Sequence, residues 1–458
     1  MSIRFSFMKL LRKFRPATIS IVGFASLISL GTALLMTPLA STSGRLTLVD
    51  ALFTATSAAC VTGLVVVDMG KDLTFFGQLI VLFMIQIGGL GIMTLSTIFL
   101  LLAGGRPSLS SRSLIRDTFT HGGEKSLSSL LLDVVRFTFI IEGLGTVLFC
   151  FRFLPDNGLL DGLFLSVFNA VSAFCNAGLT PFSDSFMSFR TDWMINWGLC
   201  FLIISGGIGF PVLSELKRQF PFNRRRWRSM SLHTRLILST TAALLLAGTL
   251  LILFMEQGNT LASLPPRERF LAAFFQSVTA RTAGFNTLPI SQMANETLFV
   301  LITLMFIGAS SGSCGGGIKT GTFMTLVVMG FSRLRGYEQP QIFQRSISVA
   351  TVGRAISVVM MSLLVVILGT WLILMTELGD LPHSLSRGKF LELFFEVISA
   401  FGTVGLSMGI TAVLSTAGKL LITLIMFVGR LGPLVVAIAV SRRKVIPYRY
   451  AEESIMVG

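Results

Sequence analysis

Four glycines hold the chemistry this chain offers. Gly63, Gly178, Gly284 and Gly405 lie in the stretches FTATSAACVTGL (53–64), FNAVSAFCNAGL (168–179), FFQSVTARTAGF (274–285) and FFEVISAFGTVGL (394–406). A Phe stands ten residues before each: Phe53, Phe168, Phe274 and Phe395. Six before stands Ser57, Ser172, Val278 or Ser399. Glycine reaches positive φ without steric cost, so carbonyls around it can turn toward one axis. Rings of such oxygens replace the water shell of a dehydrated cation. No carboxylate occurs in the four residues before any of these glycines (ACVT, FCNA, ARTA, FGTV), so the ligands would be main-chain oxygens. One such glycine alone would read as a helix C-cap. Four with matched offsets, separated by 115, 106 and 121 residues, read as a tandem repeat.

The elements that must position these turns follow. The chain is 52% hydrophobic and 13% charged, against roughly 25% charge in soluble domains. Lipid is therefore the expected solvent. The fold expected is an all-α polytopic membrane protein of four helix–pore-loop–helix repeats, eight transmembrane helices around a pseudo-fourfold pore. The repeats span 17–102, 131–216, 233–330 and 346–440. Between them lie linkers 103–130, 217–232 and 331–345, with terminal segments 1–16 and 441–458. The stretches about 47–62, 159–177, 268–283 and 389–404 are too short and polar to cross. They read as re-entrant helices, which need a protein or water lining and so should share an interior. The N-terminal apolar run is expected to be a retained first helix rather than a cleaved signal.

Most of the 37 Lys and Arg fall in the termini and linkers, densest at PFNRRRWR (221–228). Those segments, both termini included, are expected on the cytoplasmic side of a plasma membrane. The loops within repeats are more acidic (Asp50, Asp68, Asp72, Asp156, Asp161, Asp184, Asp192, Glu256, Glu377, Asp380) and should form an external, cation-concentrating vestibule. The net charge of +15 then reflects topology and membrane lipid rather than nucleic acid. Five cysteines without a CxxC pair and three scattered histidines argue against a disulfide framework or a metal site. No nucleophile–base cluster indicates an enzyme.

Below the turns, three second helices carry a matching tetrad: Gly88-Gly89-Leu90-Gly91, Gly206-Gly207-Ile208-Gly209 and Gly429-Arg430-Leu431-Gly432. Small residues there allow close packing. Arg430 replaces a glycine, and a charge at that depth must face partners or water. The third repeat has instead GASSGSCGGGIKTG (308–321), which should break its helix and line a cavity. It is not a phosphate loop, because Ile318 separates Gly317 from Lys319. Arg281, three before Gly284, is the one charge within the turns. It is expected to brace its turn through a neighbouring backbone or a carboxylate such as Glu268, Glu392 or Glu396.

Taken together these motifs resemble the Ktr/Trk/HKT superfamily of potassium transporters over roughly residues 17–440, with TARTAGFNT (279–287) especially similar to its third repeat. The first helix opens the first repeat directly, which is similar to a KtrB-type membrane subunit. The resemblance implies potassium uptake through a selectivity filter of backbone carbonyls at Val61, Thr62, Gly63, Asn176, Ala177, Gly178, Thr282, Ala283, Gly284, Thr403, Val404 and Gly405. Glycine at all four positions is similar to the potassium-selective members. The resemblance also implies a gate at Ala309, Ser310, Ser311, Gly312, Ser313, Cys314, Gly315, Gly316, Gly317, Lys319 and Arg430, within an intramembrane loop 309–321, with Arg281 as filter brace. It further implies a homodimer in a bacterial inner membrane, docked on a cytosolic nucleotide-binding ring of the KtrA/TrkA kind. Potassium is the bound ion, sodium dependence stays open, and no organic cofactor is implied. The alternative is an ion- or proton-coupled secondary transporter of another cation such as sodium. It would want intramembrane acids as relays, and Glu142 is the candidate.

Overall fold

In a computed structural model, residues 16–91, 127–221, 223–379, 381–382 and 384–432 are described. The terminal segments and most of the first linker, together with residues 92–102 and 433–440 expected in the second helices of repeats 1 and 4, lie outside them.

The extended regular elements of the described chain are helices, apart from one two-stranded hairpin, Gln341–Ile342 with Arg345–Ser346. Repeat 1 contains α1 (Pro16–Leu35), α2 (Leu48–Ala59) and α3 (Phe75–Gly89). Repeat 2 contains α4 (Leu127–Asn157), α5 (Leu159–Phe174), α6 (Trp193–Ile208) and α7 (Phe210–Gln219). A short helix, α8 (Arg224–Ser229), follows. Repeat 3 contains α9 (Leu232–Met255), α10 (Pro266–Thr279), α11 (Asn295–Phe306) and α12 (Thr320–Leu334). Repeat 4 contains α13 (Val349–Glu377), α14 (Lys389–Gly402) and α15 (Thr416–Leu431).

Side-chain caps start most of the outer helices. Thr74, Asp192, Ser231, Ser348 and Ser415 each accept a hydrogen bond from the amide three residues on, satisfying donors that a helix N-terminus leaves free. Carboxylates support the start at Ser415 and that of α11, whose N-cap Ala294 has no capping side chain. Glu256, at the end of α9, accepts from the Ala294 amide, and Glu377, at the end of α13, accepts from Ser415. Each therefore ties the end of a first helix to the start of the second helix of its repeat.

Among the described residues three helices are long and apolar enough to cross a membrane: Leu132–Asn157, Leu232–Met255 and Val349–Glu377. Their outward faces are apolar, as Leu364, Ile367, Leu368 and Trp371 on α13 illustrate, which is what hydrocarbon solvates.

The expected second helix of repeat 2 (193–216) is not one helix. It turns through 102° between α6 and α7. Gly209 at the corner has φ 96°, a conformation glycine adopts freely, and Pro211 then starts α7. The last glycine of the other two tetrads does likewise: Gly91 has φ 80° and Gly432 φ 85°. The tetrad is thus a helix stop as well as a packing motif.

The repeats close into a ring through a recurring contact. The second helix of each repeat packs on the short helix of the next: α3 on α5, α6 on α10, α11 on α14, and α15 back on α2. The last seam carries an ion pair, Lys419 to Asp50 at 2.8 Å.

Candidate functional site

The four turns meet. A Cβ built on Gly63 would lie 2.6 Å from the Ala177 oxygen, and one on Gly178 2.6 Å from the Ala283 oxygen. One on Gly284 would strike the Val404 oxygen, and one on Gly405 the Thr62 oxygen. Each glycine therefore faces the carbonyl just before the next glycine, and the fourth returns to the first. No larger residue fits without displacing backbone.

Local structure explains how each turn is made. Two residues per turn are left-handed. The glycines have φ 94°, 68°, 81° and 93°; Val61, Asn176, Thr282 and Thr403, two residues earlier, have φ 55°, 59°, 71° and 49°. For β-branched residues this conformation is strained and persists only where the surroundings over-determine it. Serines supply part of that constraint. Ser57 Oγ donates to the Leu64 carbonyl at 2.8 Å and accepts from the Gly63 amide at 3.1 Å. Ser172 Oγ donates to the Leu179 carbonyl at 2.6 Å, and Ser399 Oγ accepts from the Gly405 amide at 3.1 Å.

The third repeat corrects the sequence alignment. Thr279, not Val278, holds the serine's role, donating to the Phe285 carbonyl at 2.8 Å. Phe275 is fully buried, as Phe53, Phe168 and Phe395 are, while Phe274 is only half-buried, stacks on Phe270 and lies tilted against Trp197. The repeat has lost one residue between its helix and its glycine. The Ala283 amide reaches the Thr279 carbonyl four residues back, whereas Thr62, Ala177 and Val404 reach five back to Ser57, Ser172 and Ser399. Counting from the glycine hid this. Counting Phe-x-x-x-Ser/Thr from the helix would have found it.

Beneath the ring the symmetry stops. Residues 307–319 interrupt α11 and α12 as a loop whose base is closed by an Ile307–Ile318 bridge. Thr320 completes the closure, its amide donating to Ala309 and its hydroxyl to the Gly308 carbonyl at 2.9 Å. The loop touches three repeats. The Ser310 and Cys314 amides donate to the carbonyls of Gly207 and Gly206, and the Phe210 amide donates back to Gly312. The Gly316 amide donates to Thr403 Oγ1 at 3.0 Å, directly under the fourth turn. A Cβ on Gly315 would strike Thr282 Oγ1 under the third. Of the residues expected at the gate, Ala309, Ser310, Gly312, Cys314, Gly315 and Gly316 therefore lie against the turns or the helix ends beside them. Ser311 abuts the Gly209 corner, Gly317 neighbours Gly402, and Ser313 Oγ donates within the loop to Ser310.

Two cations grip this loop. Lys319 Nζ donates to the Gly315 carbonyl at 2.6 Å. Arg430, 8% exposed, donates to the neighbouring Cys314 carbonyl and to the carbonyl of Gly88 near the end of α3. Free carbonyls at a helix C-terminus carry partial negative charge and suit a cation. One side chain so joins repeats 4, 3 and 1.

Arg281 departs from expectation in its partner. Its Nη2 donates to Thr320 Oγ1 at 2.9 Å, and no carboxylate pairs with it among the described residues. The third turn is thereby linked to the hinge of the loop. Glu142 is buried beside Cys175, whose thiol donates to it at 3.8 Å. In the loop after the first turn, burial opposes ionisation of Asp68, but the Ser183 hydroxyl and the amides of Lys71 and Gly70 hold its carboxyl below the ordinary value. Its charge is paired with Lys71 at 3.5 Å. The short helices aim their negative C-terminal ends at the ring, so the site can hold a monovalent cation without a carboxylate ligand.

Comparison with known proteins gives consistent relatives. The family model TrkH, described as a cation transport protein, matches residues 10–451. The chain is 38% identical over 448 residues to the Ktr system potassium uptake protein B of Bacillus subtilis, covering 97% of each. It is 35% identical over 453 residues to the potassium/sodium uptake protein NtpJ of Enterococcus hirae, covering 98% of each. The crystal structure of the potassium transporter TrkH from Vibrio parahaemolyticus superposes with a TM-score of 0.71 at 18% identity, over 93% of this chain and 84% of that one.

Proposed function

The chain belongs to the TrkH family of cation transport proteins, and on that premise we propose that it takes up potassium through the ring of four turns. The protein is a multi-pass membrane transporter and not an enzyme. The observation that carries the reading is the cyclic contact of Gly63, Gly178, Gly284 and Gly405, each against the next repeat's backbone. A dehydrated potassium ion would be held there by carbonyls of Val61, Thr62, Asn176, Ala177, Thr282, Ala283, Thr403, Val404 and the glycines. The inside-negative potential contributes about 2.3 kcal/mol per charge per 100 mV.

The loop 309–321 acts in this reading as the gate, with Lys319 and Arg430 holding it shut beneath the ring. Two fixed positive charges there would also repel a descending cation. Arg281 braces the third turn through Thr320. Sodium enters as a second ion because the Enterococcus hirae relative is named for both. The words "Ktr system" in the Bacillus subtilis relative's name support a multi-component assembly; we take its parts to be a second copy of this chain and a cytosolic nucleotide-binding ring. The basic linkers then face the cytoplasm of a bacterial inner membrane, with both termini on that side.

The test is rubidium uptake into potassium-depleted cells that lack their own uptake systems. Uptake that saturates, and disappears on Gly178→Asp at normal expression, supports the reading. Uptake unaffected by that change would overturn it.

A further inference from the structure

The corrected register exposes a second ring of positions. Three residues before the anchoring Ser57, Ser172, Thr279 and Ser399 stand Thr54, Asn169, Gln276 and Glu396. Residues three apart on a helix share a face, so these side chains rise from the face whose serine or threonine holds the turn. All four are polar and all are buried, Asn169, Gln276 and Glu396 completely.

Several of these groups lack protein partners among the described residues. They include Asn169 Oδ1, both polar atoms of the Gln276 amide, and Glu396 Oε2. On the segment leaving the third turn, Asn286 Oδ1 and Thr287 Oγ1 lack partners among the described residues too. A buried polar atom left unsatisfied costs about 1–3 kcal/mol, and proteins usually satisfy such clusters with ordered water. In repeat 4 the arrangement is better satisfied. Thr411 Oγ1 donates to Glu396 Oε1 and lies 2.9 Å from Ser407 Oγ, both on the segment leaving the fourth turn.

We propose that Thr54, Asn169, Gln276 and Glu396 form a hydrated collar behind the four turns, and that the Glu396 carboxylate, kept charged by that water and by the Thr411 hydroxyl, strengthens cation binding in the ring. The idea rests on the potassium reading above and adds to it. A carboxylate behind a carbonyl ring raises the attraction for a cation without removing it from its main-chain ligands. The other three members are neutral, so the collar places its charge in one quarter of the pore.

The test is concentration-dependent rubidium uptake by Glu396→Gln, Thr411→Val and Gln276→Glu. Glu396→Gln is expected to raise KM about fivefold, with maximal rate within about twofold. Thr411→Val removes a hydrogen-bond donor to that carboxylate, so its KM should rise in the same direction but by less. An unchanged KM in Glu396→Gln overturns the proposal. If Glu396→Gln fails to accumulate in the membrane, Gln276→Glu decides. It adds an acid at the equivalent position and should lower KM; an unchanged or higher KM overturns the collar's electrostatic role. Should the unsubstituted chain move sodium but not rubidium, the potassium reading alone fails, and the same KM comparison is made with sodium.

Discussion

The ring of turns and the layer just beneath it are built on opposite plans. In the ring, four different sequences give one geometry: left-handed residues at two fixed places, an anchoring hydroxyl, and a glycine pressed on the next repeat. Beneath it, equivalent places on the second helices differ. Repeat 2 turns a corner at Gly209, repeat 3 opens a loop, and repeat 4 inserts Arg430. Binding an ion on an axis calls for equal contributions from every side. Stopping and releasing that ion, the role proposed for the loop, calls for one movable part with distinct contacts, and the four-way pattern is absent there.

Alanine at the four glycines tests the upper region most severely. A methyl at Gly63, Gly178, Gly284 or Gly405 meets a neighbouring carbonyl, so each should cut rubidium uptake at least tenfold with similar severity. One tolerant position would mean that the ring is open on that side.

Deletion of Ser310–Gly316 should act in the reverse sense in the lower region. It removes the segment under the third and fourth turns, and cation flux in proteoliposomes should rise several-fold with the ring intact. A loss of flux would assign the loop to the ring's support instead.

Arg430→Ala comes next. Losing the bonds to Cys314 and Gly88 frees the loop on one side, with flux raised about two- to fivefold and assembly preserved. Combined with the loop deletion it should add little, because both act on one contact. Full additivity would separate Arg430 from the gate.

Thr279→Val is the mildest. It should cost about 1 kcal/mol by deleting the bond to Phe285, seen as a lower unfolding temperature in detergent, whereas Thr279→Ser keeps the hydroxyl and should stay near the parent. Equal loss in both would place the threonine's value in its methyl group.

The upper region was largely legible in the sequence because it is made of spacing. Phe, Ser and Gly recur at set intervals, and their meaning survives translation into structure. Legibility failed where one residue was lost, since Phe274 and Val278 match a count from the glycine while Phe275 and Thr279 match the helix face. The lower region was legible only as anomaly. An arginine among glycines and a glycine-rich break in an apolar helix announced that something differed. Neither could name its partner, because the partners are backbone carbonyls of Cys314, Gly315 and Gly88, which carry no mark in the sequence. The corner at Gly209 was missed for a related reason. Its glycine reads as small packing, and only the Gly312 carbonyl accepting from Phe210 reveals what occupies the bend.

That corner has a mechanical consequence. α7 leaves the bundle almost at right angles to α6 and leads directly to the arginines of 224–228. A pull on that basic segment would work through α7 as a crank, with Gly209 as its pivot and the Phe210–Gly312 amide–carbonyl link as its connecting rod to the loop 307–319.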